Sequence, residues 1–73
     1  MYSIYLRGKT KVASAVSLEK GLDVLRAKAR SRNGVPYVLK GDGVAIAAAV
    51  MMRGKFSMVY SSYYHELVST KGE

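Results

Sequence analysis

The sequence predicts an α+β fold, a single helix packed on a four- to five-stranded antiparallel or mixed sheet in the order ββαβββ. Three observations carry this. Residues 17–34 have a start, a body and a stop that all read as helix. The segments on either side alternate apolar and polar residues at strand spacing, and glycine-bearing turns divide those segments from one another. At 73 residues the chain, residues 1–73, is one small domain with one core, so oligomerisation or partner binding would be a natural source of extra stability.

The helix is argued first from its ends. Ser17 can accept a hydrogen bond from a free amide of the first turn, and Glu19 and Asp23 suit the positive end of the helix dipole. Arg30 and Arg32 suit the negative end, and Asn33-Gly34 can adopt the left-handed stop before Pro36. Leu18, Leu22, Leu25 and Ala29 fall on one stripe, with Gly21 beside them permitting close approach to a sheet. Glu19, Asp23, Arg26 and Arg30 share one flank.

Before the helix, Tyr2, Ile4 and Leu6 alternate with Ser3, Tyr5 and Arg7 as a half-buried strand. Gly8-Lys9 supplies a tight turn, and Val12 to Val16 return as its partner. After the helix, residues 36–40 are β-prone and Gly41-Asp42-Gly43 is a turn. Residues 44–52 alternate by size, with Val44, Ile46, Val50 and Met52 on one side and Ala45, Ala47 and Ala49 on the other. That favours a central strand over the alternative, a short buried helix, and expects the large side under the helix and a flat alanine face opposite. Arg53-Gly54-Lys55 turns the chain into a last strand, with Phe56, Met58 and Tyr60 alternating against Ser57, Val59 and Ser61. Residues 65–73 are expected to form a flexible tail, with Leu67 and Val68 able to dock.

The formal net charge is +7, and its placement is uneven. Residues 1–40 hold nine Lys and Arg against Glu19 and Asp23, whereas Arg53, Lys55 and Lys71 balance Asp42, Glu66 and Glu73. A positive excess confined to the first half favours an anionic partner, with solubility the plainer explanation. The absence of cysteine excludes disulfides and thiolate chemistry and fits a reducing compartment. The longest apolar run is about half of what a membrane span needs. A cytoplasmic protein is expected.

Chemistry-bearing motifs are scarce. His65 has no second histidine to complete a metal site, and Gly8-Lys9-Thr10 lacks the upstream glycine spacing of a phosphate-binding loop. No carboxylate pair suggests an acid/base couple, so no enzyme and no cofactor are expected. Arg-Gly-Lys occurs at 7–9 and again at 53–55, each at a hairpin tip. Tyrosine and serine gather at 2–5 and 60–64, a mixture suited to contact surfaces, though tyrosine is also a favoured strand residue. The candidate partner-binding residues are Arg7, Lys9, Lys11, Arg53 and Lys55 with Tyr5, Tyr63 and Tyr64. The five cations form one rim if the sheet brings both turns to the same end.

The run of hairpin, helix and strand, with Gly8-Lys9-Thr10 in the turn and Leu25 to Ala29 leading to Asn33-Gly34-Val35-Pro36, resembles ubiquitin-like β-grasp domains over residues 1–36. Because residues 71–73 carry no diglycine, the resemblance implies topology and no function. In size, absence of cysteine and layout the chain is also similar to small phage-encoded inhibitors, anti-CRISPR proteins among them, which implies action inside a host cell. The expected function is therefore a non-enzymatic basic binding protein that inhibits or occupies a nucleic-acid-handling complex. The alternatives are a direct DNA- or RNA-binding module, whose cations contact phosphate and whose tyrosines stack bases, and a dimerising structural or regulatory subunit.

Overall fold

The computed structural model describes residues 1–72, with side chains described through residue 68. Two strands, β1 (Tyr2–Leu6) and β2 (Thr10–Ala15), precede helix α1 (Leu18–Ser31). Strands β3 (Tyr37–Gly41), β4 (Val44–Met52) and β5 (Lys55–Tyr60) follow, and a second helix, α2 (Ser62–Gly72), comes last. The five strands form one sheet in the order β2-β1-β3-β4-β5. Every pairing between the five strands is antiparallel, so the mixed alternative falls away.

Ser17 caps α1 as its sequence position predicts: its hydroxyl accepts from the Lys20 amide at 3.2 Å. The helix stops at Ser31, earlier than the Asn33-Gly34 signal suggests, because those two residues are drawn toward β4. Asn33 bridges Met51, and the Gly34 amide donates to the Met51 carbonyl. Leu22, Leu25 and Ala29 are buried against Ile4, Tyr37 and Leu39. Gly21 earns its place in the helix, since a β-carbon there would stand 3.1 Å from Leu39 Cδ1.

Strand β1 faces the helix with Tyr2, Ile4 and Leu6 as its alternation requires, and β5 does so with Phe56 and Met58. Strand β4 departs from expectation. Its register with β3 shifts between Leu39 and Lys40, so that Leu39 opposes Ala47 while Lys40 opposes Ala45. Ile46 is the extra residue of this β-bulge, and the alternation changes phase there. Ile46, Ala47 and Ala49 are all buried under α1. Ala45 and Ala48 take the opposite face, where Ala48 and Val50 line shallow hollows with Val38, Ser57 and Val59. The face opposite the helix therefore does not hold Ala47 and Ala49, which are buried, and of the large residues expected under the helix only Ile46 is buried there, with Val50 half-buried and Val44 and Met52 exposed.

Residues 62–72 are helical, where the sequence suggests a flexible tail from residue 65 onward following the last strand. The helix is anchored at its start. Ser61 donates its amide to the Ile46 carbonyl at 2.8 Å and its hydroxyl to the Ala45 carbonyl at 2.6 Å. Tyr63, Tyr64 and Leu67 then pack on the core, and the Tyr64 ring lies 4.3 Å from that of Tyr60. Residue 73 lies outside the described residues. Among the described residues no helix is long and apolar enough to cross a membrane.

Candidate nucleic-acid interface

Two-residue turns close the β3–β4 and β4–β5 hairpins and a three-residue loop, 7–9, closes β1–β2; each has positive φ at two successive positions: Arg7-Gly8 (+54°, +76°), Asp42-Gly43 (+52°, +79°) and Arg53-Gly54 (+52°, +78°). That is the type I′ pattern, whose twist matches paired strands and whose first position favours Asn, Asp or Gly. The first turn thus centres on Arg7-Gly8, one residue before the Gly8-Lys9 expected from sequence, and the Lys9 amide donates to the Leu6 carbonyl at 3.0 Å. Only Asp42-Gly43 uses the favoured chemistry. The other two place arginine in a left-handed conformation that an L side chain adopts at some cost.

Strand directions decide where these turns lie. β1 and β4 run the same way in an antiparallel sheet with β3 between them, so Arg7-Gly8 and Arg53-Gly54 emerge at one end and Asp42-Gly43 at the other. β2 carries the chain back to the Asp42 end, so α1 starts there and returns its C-terminus to the arginine end. Arg30, Arg32 and the negative pole of the helix therefore join Arg7, Lys9, Arg53 and Lys55.

The backbone stitches this end together. The Arg7 amide donates to the Pro36 carbonyl at 2.9 Å, and the Gly34 amide donates to the Met51 carbonyl. The loop at 32–36 thus ties the first hairpin to β4. The Arg30 guanidinium stacks 4.6 Å from the centroid of Phe56, and Lys40 reaches from β3 to donate to the Gly8 carbonyl at 3.3 Å. No aspartate or glutamate occurs between residues 24 and 41 or between 43 and 65. Glu19 and Asp42 lie at the far end, and Asp23, midway along α1, pairs with Arg26 at 3.1 Å.

Of the residues singled out from sequence, Arg7, Lys9, Arg53 and Lys55 are placed at this end, on two separate hairpin tips. Lys11 is not: it opposes Tyr5 in register, two positions back from the tip, on the open face of the sheet. Tyr5 also lies on that face, with the Lys40 ammonium 4.9 Å from its ring centroid. Tyr63 and Tyr64 sit in α2, packed on the core; Tyr64 stacks on Tyr60, which belongs to the opposite half of β5. Arg30, Arg32 and Lys40 are additions that the sequence reading left out. Chain direction was a usable signal for the first two, because a helix following a two-stranded hairpin must end where that hairpin turned.

The open face of the sheet is mostly small and apolar. Tyr5, Val38, Ala48 and Val59 lie in one row across four strands. Among the described residues no cluster of three or more His, Asp or Glu side chains could hold a metal. Compared with protein-family models, curated proteins and solved structures, the chain matches none.

Proposed function

We propose that the protein is a non-enzymatic nucleic-acid-binding module that holds phosphates with Arg7, Lys9, Arg30, Arg32, Arg53 and Lys55. The observation behind this is the arrival of two Arg-Gly turns and the helix C-terminus at one end of the sheet, in segments without a carboxylate. Cations so arranged attract a polyanion over several ångströms and hold it through many weak contacts. The turn chemistry supports the same reading. Arginine replaces the favoured Asn or Asp at both turns of this end and at neither position of the third, so local stability is given up where charge gathers.

A second reading, occupation of a nucleic-acid-handling complex in the manner of a small inhibitor, draws on the open apolar row of Val38, Ala48 and Val59, which suits a protein contact. It ranks behind the first because proteins that handle nucleic acid present basic grooves, which repel a basic end unless nucleic acid lies between them.

The test is a fluorescence-anisotropy titration of mixed-sequence nucleic acid at low salt with wild type and with Lys9→Glu/Lys55→Glu. Binding that weakens steeply with salt in wild type, and is lost in a variant of unchanged circular dichroism, supports direct phosphate contact. Equal binding by both proteins refutes it.

A further inference from the structure

We infer that the ligand of the cationic end is double-stranded DNA, with the β4–β5 hairpin tip in the major groove and the β1–β2 tip on the bordering phosphate backbone. The inference rests on the nucleic-acid reading above and deepens it from the shape of that end.

The two tips are not level. Leu6, Tyr37, Ala49 and Met58 share one row of the sheet. Arg7 is one residue beyond that row, whereas Arg53 is four beyond it. The second tip therefore stands about 10 Å further out, at roughly 3.3 Å per residue, and three strand spacings place it about 14 Å to the side. The loop at 32–36 forms a shoulder between them at the level of Met51. The outline is a two-stranded ribbon projecting from a cationic ledge, and the backbone hydrogen bonds through Pro36 and Met51 hold that step.

A projecting ribbon needs a groove. The B-form major groove, about 12 Å wide and about 8.5 Å deep, admits a two-stranded ribbon. Arg7, Lys9 and Arg32 on the ledge then face the phosphates along its edge. A-form RNA offers no equivalent, since its major groove is deep and narrow and its minor groove shallow.

Single strands are disfavoured for a separate reason. Sequence-tolerant binding of single strands relies on aromatic faces beside the cations, on which bases stack. None is free here. Phe56 carries Arg30, Tyr5 lies beneath the Lys40 ammonium, and Tyr60 and Tyr64 stack on each other toward the far end. Tyr37 is buried in the core, and Tyr2 and Tyr63 are half-buried against it toward the far end, away from the cations, which accounts for every Tyr and Phe in the chain.

The experiment titrates wild-type protein against a 20-base-pair DNA duplex, the matching single strand and the matching RNA duplex, and repeats the DNA duplex with methyl green or netropsin as major- and minor-groove competitors. The expected result is roughly tenfold or greater preference for duplex DNA, with displacement by methyl green and not by netropsin. Arg53→Asn/Lys55→Gln, which keeps a turn-compatible residue at position 53, should lose both the preference and the methyl green sensitivity. Equal or tighter binding of the single strand or the RNA duplex, or displacement by netropsin alone, overturns the inference and leaves the phosphate-binding reading standing. No binding to any of the three overturns both.

Discussion

The guanidinium carbon of Arg30 lies 4.6 Å from the centroid of the Phe56 ring, linking the last turn of α1 to the start of β5 beside the β4–β5 turn. One turn earlier, Arg26 is bound to Asp23 at 3.1 Å. The two arginines share a helix flank and differ in what holds them. Asp23 offsets the charge of Arg26, whereas an aromatic ring orients Arg30 and leaves its charge in place. Arg30→Glu should accordingly weaken DNA binding and lower the slope of log affinity against log salt by about one or more, whereas Arg26→Glu should change neither appreciably. A salt series on both variants checks this, and equal losses would mean that the whole flank, not the cationic end, makes the contact.

The left-handed arginines should trade stability against binding. Asparagine accepts positive φ more readily than arginine, so Arg7→Asn with Arg53→Asn should relieve up to about 1 kcal/mol of backbone cost per turn. For a domain of this size the thermal midpoint would rise by several degrees, roughly 4–8 °C per kcal/mol. The same protein should bind nucleic acid more weakly. Thermal melts and titrations of one preparation supply both readings, and a lowered midpoint would contradict the turn argument.

Two adjacent alanines test the bulge in β4. Ala49 is 2% exposed beneath α1, whereas Ala48 lies on the open face beside Val38 and Val59. Ala49→Asp buries a carboxylate with no partner and should cost several kcal/mol, unfolding much of the population. Ala48→Asp should cost about 1 kcal/mol or less. Urea denaturation of the two variants measures the difference, and the reverse ranking would put the bulge elsewhere.

Gly41 tests the packing of the far end. A β-carbon there would stand 2.9 Å from Ile46 Cδ1 and 3.1 Å from the Tyr2 ring, all within a closely packed region. Gly41→Ala should therefore destabilise by about 1–3 kcal/mol through overpacking. Adding Ile46→Val, which removes the nearest carbon, should recover part of that loss. A double-mutant cycle reports the coupling, and strict additivity would show that the two sites do not touch.

Much of the frame was legible because it is written in local rules. The Ser17 cap, the Leu22 and Leu25 stripe and the alternation of β1 and β5 each depend on residues a few positions apart, and each appears in the structure. The turns were legible for the same reason, with Arg7-Gly8 displaced by one position. Helix α2 was not, because Tyr63 and Tyr64 are strand-favouring residues whose helical state depends on Ser61 bonding to β4 and on Tyr64 meeting the Tyr60 ring.

The inner and outer faces of β4 and the gathering of the cations belong to another level. A side-chain period of two carries no warning of an inserted residue, so the alanine alternation gave the wrong faces beyond Ile46. Similarly, the sequence by itself determined that Arg7, Lys9, Arg53 and Lys55 sit at turns. It did not determine that those turns share an end, or that Arg30 and Arg32 return to meet them. Only the tertiary structure decided that, because strand order and direction depend on pairing energies summed over distant segments, which no local spacing records.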